Sequence, residues 1–179
     1  MDERLDILTP DGTPAGRTRT KAEVHRDGDW HRSVHVWIVA SDATLLLQLR
    51  AARKENHPSL WDVSAAGHVA AGESVVDAAV RELREELGLR VDAAELRHVT
   101  TLTEECVLNE GTYIDRELHE IFLLRRDVDP ESLVLQAEEV DAVKLVTLVE
   151  FARMTSRRDP LLVPHWEEYE LIAREVCRT

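Results

Sequence analysis

The chain has 179 residues, of which 44% are apolar and 32% are charged, and its 22 basic and 35 acidic side chains give a formal net charge of −13. This length fits one globular domain, and this composition favours a globular protein over an intrinsically disordered or fibrous one. The acidic balance argues against a nucleic-acid partner, and no run of about 18 apolar residues is available to cross a membrane. An anionic substrate would therefore require a cation between itself and the protein.

The N-terminus and the cysteines indicate a cytoplasmic protein. Asp2 and Glu3 open the sequence with acidic residues, whereas a signal peptide begins with basic residues and continues into an apolar core. Cys106 and Cys177 lie far apart and form no CxxC motif. We therefore expect neither a disulfide framework nor a cysteine metal site, and a reducing compartment fits best.

Residues 1–30 are predicted to form an N-terminal hairpin extension. Leu5–Leu8 has the composition of a short strand, and the turn-forming residues 10–13 follow it directly. Thr20 and Glu23 have the spacing of a capping box, which predicts a helical turn at the end of the extension.

Strands are predicted on both sides of a central helix. Val34–Val39 and Leu45–Leu49 predict a buried hairpin because the first segment is rich in β-branched residues and a turn separates the two. The later predicted elements are strands at Leu96–Leu108, Tyr113–Leu124 and Val140–Leu148, a short helix at Leu148–Met154, and a C-terminal helix at Trp166–Cys177 within residues 161–179. This order predicts a mixed α/β sandwich, with residues 1–179 forming a single domain.

The central helix is predicted at residues 74–87, where apolar residues recur at intervals of four, three and four. These residues are Val76, Val80, Leu83 and Leu87. They form one stripe of an amphipathic helix. Ser74 is a suitable N-cap and Gly88 a suitable C-cap.

Three carboxylates of this helix, those of Glu82, Glu85 and Glu86, are predicted to share one face, opposite the apolar stripe. Like charges at these spacings repel by about 0.2–0.5 kcal/mol per pair. A solvated helix face tolerates such a cost, and charged runs are common there. A binding site for Mg²⁺ would instead use the cluster, because hard divalent ions prefer carboxylates, waters and substrate phosphates as ligands.

The residues around the glutamates form a longer pattern from Gly67 to Leu89, which reads Gly-x5-Glu-x7-Arg-Glu-Leu-x-Glu-Glu-x-Gly-Leu. Average residue usage would produce such a pattern on the order of once in 10⁹ start positions. The segment resembles a complete Nudix box, the signature of the Nudix hydrolase superfamily. The segment 25–32, the strand at 34–39 and Leu60-Trp61-Asp62 resemble the branch near type 1 isopentenyl-diphosphate isomerases and plant Nudix/peptidase fusions.

This resemblance implies a mixed β-sheet sandwiched between helices (α/β/α), with residues 67–89 forming a loop–helix–loop. It implies metal ligation by the three glutamates and the Gly67 carbonyl, and hydrolysis of a diphosphate by metal-activated water. Mg²⁺ is the expected cofactor, with Mn²⁺ as a substitute. The candidate catalytic carboxylates are Glu82 and Glu86 in the box and Glu120 outside it, and Glu73 and Arg81 are expected to support the box.

Basic residues outside the box are candidates for phosphate binding. Arg50 and Lys54 follow a buried strand and are expected either to clamp a phosphate or to be solvated loop cations. His68 is a third candidate for phosphate binding. Together with His25 and His31 it also resembles the second-metal positions of the isomerases, although His25 and His31 are six residues apart rather than seven. A structural role in the core is the alternative for all three histidines.

Two other functions remain open from the sequence. Isomerisation of isopentenyl diphosphate requires a cysteine just before the box glycine, and the resemblance places Ala66 there. A binding module without turnover would be expected to lack box carboxylates, whereas Glu82, Glu85 and Glu86 are all present. The favoured partner is therefore a small-molecule diphosphate, such as a nucleoside diphosphate, without nucleic acid or membrane. The resemblance is also compatible with a homodimer.

Overall fold

The computed structural model describes residues 3–177. The outer ends of the predicted N-terminal extension and of the predicted C-terminal segment, residues 1–2 and 178–179, lie outside this range. No helix between residues 3 and 177 is both long enough and apolar enough to cross a membrane.

The first elements confirm the predicted N-terminal hairpin and the cap that follows it. Strand β1 (Arg4–Leu8) pairs antiparallel with β2 (Pro14–Thr20). Helix α1 (Lys21–Asp27) then begins at a capping box, in which Thr20 and Glu23 each bind the other's backbone N–H. The prediction was one helical turn, and the structure has seven residues of helix.

The main sheet has seven strands within residues 3–177. They are β3 (His31–Val39), β4 (Leu45–Arg50), β5 (Trp61–Asp62), β6 (Ala65–His68), β7 (Leu96–Leu108), β8 (Tyr113–Arg125) and β9 (Val140–Val146). The order is β5-β4-β3-β8-β7, with β6 beside β3 and β9 beside β4. Strands β3 and β8 run parallel, and the other pairs are antiparallel. The short strands β5 and β6 were not predicted.

Strands β3 and β4 diverge soon after the turn that joins them. Their backbones pair only at Val39 and Leu45; beyond that point β3 turns to β6 and β8, while β4 turns to β5 and β9. The sheet therefore splits towards the start of β3, and side chains of both halves meet at this split.

Helices cover both faces of the sheet, which confirms the expected α/β/α sandwich. Helix α2 (Val75–Leu87) packs on one face, while α3 (Leu148–Ser156) and α4 (Trp166–Cys177) pack on the other. Short 3-10 turns occur at Ala93–Glu95, Asn109–Gly111 and Pro130–Ser132. Because side chains alternate along β3, its residues enter both cores: Val34 and Val36 face α2, whereas Trp37 faces α3 and α4.

The N-terminal hairpin fixes the loop that precedes α2. The N–H of Ala71 donates to the Arg4 carbonyl at 2.8 Å, and the N–H of Gly72 donates to Asp6 Oδ2 at 2.8 Å. These bonds hold the loop between β6 and α2 in one position, and this loop contains the predicted box residue Glu73.

Candidate active site

A cavity of about 560 Å³ opens where the sheet splits. Its walls come from β3, β6, β7 and β8, from residues 50–57, and from the polar side of α2. Eleven carboxylates and only five lysines and arginines are among the described residues that line it. An anionic ligand would meet net repulsion here unless cations accompany it. The cavity is therefore suited to metal ions, or to an anion held through them.

Helix α2 has the predicted ends but a different orientation. Ser74 accepts the N–H of Asp77, and Gly88 closes the helix with φ of 67°, as predicted. Glu82 and Glu86, however, are buried next to Leu83 and Leu87, while Glu85 is exposed. The carboxylates therefore flank the apolar face and do not lie opposite it. This correction follows from helix geometry, because neighbouring residues are only about 100° apart around the axis.

Burial makes the carboxylates of Glu82 and Glu86 costly to ionise. Burial raises the pKa of Glu82 to about 7, although Arg81 counteracts the shift. Burial and the nearby Glu82 raise the pKa of Glu86 to about 8. Glu86 accepts the backbone N–H of Ala66 at 3.0 Å. Two adjacent buried carboxylates that resist ionisation are suited to a divalent cation, whose charge would favour the ionised form.

Gly67 packs against this pair without space for a side chain. A Cβ built at Gly67 would lie 2.0 Å from Glu82 Oε1. Only glycine therefore allows the β6 backbone to approach the carboxylate so closely. The structure thus brings together Gly67, Glu82, Glu85 and Glu86 at the cavity, and this oxygen-rich set fits Mg²⁺.

Arg81 and Glu73 join the loop to the helix. Arg81 Nε and Nη2 donate to the two carboxylate oxygens of Glu73 at 2.9 and 3.0 Å. Arg81 also donates to the His68 carbonyl at 2.9 Å and to Glu82 at 2.6 Å. One planar guanidinium thus holds the loop, β6 and a site carboxylate in fixed positions.

The candidate phosphate-binding residues line the cavity but already have partners. Arg50 Nη1 donates to Asp62 at 2.9 Å and its other nitrogens donate to the Asn56 carbonyl. Lys54 forms an ion pair with Glu139. A phosphate would therefore compete with, or be added to, these contacts.

Glu120 does not line the cavity, and this sequence-based candidate was wrong in position. Its side chain lies on the other side of β8, where it binds Arg32 at 3.1 Å, His98 at 2.9 Å and Thr101 at 2.8 Å. Glu117, three residues earlier on the same strand, lines the cavity instead. Glu117 is therefore a better candidate than Glu120 for a catalytic carboxylate outside the box.

His25, His31 and His68 come together around Glu117. His31 Nε2 and His68 Nε2 lie 3.0 and 3.3 Å from Glu117 Oε1, and His25 Nε2 lies 3.3 Å from His68 Nε2. Asp115 is 3.4 Å from His25. Burial opposes ionisation of Glu117, but hydrogen bonds from His31 and His68 hold its pKa well below the usual range. The cluster has the imidazole and carboxylate donors that transition metals prefer.

His68 is therefore placed in this cluster and not as a free phosphate ligand. Burial lowers the pKa of His68 to about 3, so its imidazole is neutral at physiological pH. A neutral imidazole suits metal ligation better than it suits attraction of a phosphate.

The sequence did not indicate the polar residues on β7 and on the segment before α4. Glu104 and Cys106 line the cavity, opposite Glu117 and Asp115 in the β7–β8 register, and His165 reaches it from the chain preceding α4. Burial opposes charge on His165, but Glu104 and Asp62 raise its pKa to about 9. The available signal was the alternation of polar side chains at 104, 106, 115, 117 and 119 within two predicted strands.

Comparison with known proteins assigns the chain to a class. Residues 29–165 match the NUDIX domain family. The chain therefore belongs to the Nudix hydrolase family.

The chain is similar in sequence to both Nudix hydrolases and isopentenyl-diphosphate isomerases. The chain is 41% identical over 167 residues to Nudix hydrolase 3 of Arabidopsis thaliana; the match covers 92% of this chain but 22% of that protein. It is 36% identical over 160 residues to an uncharacterized Nudix hydrolase of Clostridium acetobutylicum, covering 88% of this chain and 76% of that one. An isopentenyl-diphosphate Delta-isomerase of Serratia proteamaculans is 36% identical over 131 residues, covering 73% and 70%.

Solved structures share the fold. DR0079 from Deinococcus radiodurans superposes with a TM-score of 0.73 at 21% identity, covering 94% of this chain and 98% of that one. The NUDIX domain of Shewanella oneidensis NrtR, solved with ADP ribose, gives a TM-score of 0.61 at 16% identity, covering 81% and 87%. At these identities the likeness establishes the architecture of the sheet and helices.

Proposed function

We propose that this protein is a Mg²⁺-dependent hydrolase that cleaves the diphosphate linkage of a nucleoside diphosphate or a related metabolite. The observation that carries the proposal is the convergence of Glu82, Glu85 and Glu86 with the Gly67 backbone at one cavity. Two of these carboxylates are buried and resist ionisation, which fits a cation site. The family and the ADP-ribose complex of a protein with the same fold support a nucleotide-like substrate.

Each residue of the site would have a distinct role in binding or hydrolysis. Gly67, Glu82, Glu85 and Glu86 would hold Mg²⁺, which supplies charge neutralisation and a lowered pKa of bound water. Arg81 fixes Glu82 through a hydrogen bond and keeps the loop at Glu73 in place. Arg50 and Lys54, which line the same cavity, would contact the distal phosphate. The attacking water needs a carboxylate base, for which Glu82, Glu86 and Glu117 are the candidates.

We also propose a second divalent ion, in addition to Mg²⁺, at the cluster of His25, His31, His68, Asp115 and Glu117. Its support is geometric, since one nitrogen of each histidine lies within 4.8 Å of the others. Cytoplasmic location is proposed on the two free cysteines, Cys106 and Cys177. A single domain and a homodimer remain proposals as well.

The test is a screen for phosphate or nucleotide release with Mg²⁺ across nucleoside diphosphates, nucleotide sugars, isoprenoid diphosphates and thiamine diphosphate derivatives. Glu85 is exposed, so Glu85→Gln should fold and should lower kcat by at least about tenfold. Glu170→Gln, at an exposed position of α4, is the matched control. Turnover unchanged by Glu85→Gln would refute the metal assignment, and a folded wild type that releases nothing would favour a binding module.

A second candidate function, isomerisation of isopentenyl diphosphate, is favoured by one observation: the thiol of Cys106 lies in the cavity. The sequence had not placed any cysteine there. Burial, Asp115 and Glu104 raise the pKa of Cys106 to about 12, so the thiolate is scarce at neutral pH. Ala66, before the box glycine, has no titratable side-chain proton to donate. We expect no deuterium incorporation into isopentenyl diphosphate from heavy water, and substantial incorporation detected by NMR would favour the isomerase.

A further inference from the structure

A second group of side chains suited to metal ligation lies outside the box, and two of its members, Glu104 and His165, line the same cavity. Glu104 lies on β7, His119 on β8, and His165 just before α4. One ligand atom from each lies within 4.8 Å of the other two. Glu104 Oε2 is 2.9 Å from His165 Nδ1 and 3.6 Å from His119 Nε2. Two ligands of a tetrahedral zinc ion, each at about 2.0–2.1 Å, are separated by about 3.4 Å, so these spacings fit one shared ion.

His119 provides an independent sign of a ligand. The residue is 3% exposed, and its Nε2 atom is buried without a hydrogen-bond partner. The 3.6 Å separation from Glu104 Oε2 is too long for a hydrogen bond, although it is within ion-pair distance when His119 is protonated. Leaving a buried polar atom unpaired costs about 1–3 kcal/mol. Coordination of a cation by Nε2 would remove that cost, and Nε2 faces Glu104 Oε2 at 3.6 Å.

The second ring nitrogen of His119 and that of His165 each face a polar side chain outside the group. His119 Nδ1 is 2.7 Å from Ser33 Oγ, and His165 Nε2 faces Asp62 Oδ1 at 3.7 Å. The His119 ring also stacks on His35 with centroids 4.2 Å apart, and His35 is bound by the buried Glu168 at 2.7 Å. Metal-binding histidines are commonly oriented in this way, with one nitrogen on the ion and the other on a fixed polar group.

We propose that Glu104, His119 and His165 bind a divalent transition-metal ion such as Zn²⁺, with a coordination position open to the cavity. Two imidazoles and one carboxylate, with a fourth position for water or substrate, form a typical open zinc site. The open position follows from the partial exposure of Glu104, whose side chain is 35% exposed on the cavity wall. This donor set differs from the oxygen ligands of α2, so the two sites should select different metals.

Such an ion would give the acidic cavity a third cationic point, in addition to the proposed Mg²⁺ and the proposed ion at the cluster of His25, His31 and His68. Its open position would accept an oxygen of the substrate, such as a phosphate or hydroxyl oxygen. The inference does not depend on hydrolysis, because it concerns binding of the metal alone.

The first test is calorimetric titration of the full chain with Zn²⁺ after removal of bound metal. Glu104→Gln and His165→Gln should each weaken one class of Zn²⁺ sites by at least about a hundredfold. Glu105→Gln and His98→Gln are matched controls, since Glu105 is bound to Arg116 and His98 to Glu120 outside the cavity. The controls should bind Zn²⁺ as wild type does. Unchanged binding by the folded Glu104→Gln and His165→Gln variants would overturn the proposal.

A second measurement uses wild-type protein and needs no variant to fold. Crystals grown with Zn²⁺ and measured at the zinc absorption edge should show an anomalous peak about 2.0–2.1 Å from Glu104, His119 Nε2 and His165. Zinc bound only at the cluster around His25 and His31, or nowhere, would contradict the proposal.

Discussion

The backbone N–H of Ala66 donates to Glu86 Oε2 at 3.0 Å. This bond joins β6, the strand that contains the first box residue, to a buried carboxylate that is costly to ionise. It orients Glu86 at the cavity without neutralising it, because one backbone donor offsets only part of the cost of burying a charge. The ionised Glu86 therefore destabilises the metal-free protein, and the proposed cation would offset this cost.

Replacement of that carboxylate should stabilise the metal-free protein. The pKa of Glu86 is near 4.5 when the residue is unperturbed and rises to about 8 in the folded state. Because folding favours the protonated form, the cost of ionisation is absent below about pH 4.5 and increases until about pH 8. We expect Glu86→Gln in EDTA at pH 8 to raise the free energy of unfolding by about 1 kcal/mol or more, or several degrees in Tm.

The control for this prediction is the same comparison at pH 5, where the two proteins should differ little. Saturating Mg²⁺ at pH 8 should stabilise the wild type and not the variant. If Glu86→Gln lowered Tm equally at both pH values without metal, ionisation of Glu86 would not be the cause.

Hydrolysis should become faster as pH rises from 6 to 9. Burial raises the pKa of Glu82 to about 7 and that of Glu86 to about 8 in the absence of metal, so protons compete with Mg²⁺ at neutral pH. The attacking water also reacts better when deprotonated. The measurement is kcat/KM against pH at two Mg²⁺ concentrations, and the profile should move to lower pH at the higher concentration. A flat profile would count against rate-limiting water activation.

A methyl group at Gly67 should displace Glu82. The added Cβ would lie 2.0 Å from Glu82 Oε1, so Gly67→Ala must move the carboxylate or the strand. We expect a loss of about a hundredfold in kcat/KM, typical of a displacement near 1 Å, and destabilisation of about 1–3 kcal/mol from overpacking. Gly72→Ala is the control, since it strains a backbone with φ of 78° but meets no atom within 4 Å. Equal loss of activity in both variants would point to loop strain.

Replacement of Glu117 and of Glu120, both on β8, should have different effects on activity and stability. Glu117 lies in the cavity beside His31 and His68, whereas Glu120 binds Arg32 and His98 on the other side. Glu117→Gln should lower kcat/KM by at least about tenfold, while Glu120→Gln should lower Tm without changing kcat/KM. Steady-state kinetics and thermal unfolding of both variants check this. Loss of activity in Glu120→Gln alone would reverse the assignment.

The prediction for Glu120 was wrong because the sequence does not indicate which face of β8 lines the cavity. Residues from Glu117 to Leu124 are buried on both sides of β8, so hydrophobic alternation does not distinguish the two faces. A shift of one residue in register exchanges those faces. The register with β3 and β7 decides which side chains enter the cavity, and it depends on contacts between distant segments.

Local sequence patterns were sufficient to predict other elements of the fold. The spacing of apolar residues and the caps at Ser74 and Gly88 specified α2, and the turn residues at 10–13 specified the N-terminal hairpin. The proximity of Cys106 to Asp115, and of His165 to Glu104, arises only when β7 pairs with β8 and the segment before α4 folds across them. Strands β5 and β6 were too short, at two and four residues, to give a periodic pattern.

Metal binding by the box glutamates is the central claim for this site. The direct measurement is a wild-type crystal soaked with Mn²⁺ and a non-hydrolysable diphosphate analogue, with data collected at the manganese absorption edge. We predict anomalous density between Glu82, Glu85, Glu86 and the Gly67 carbonyl, in contact with the analogue. Density for the analogue with no ion beside these glutamates would contradict the account.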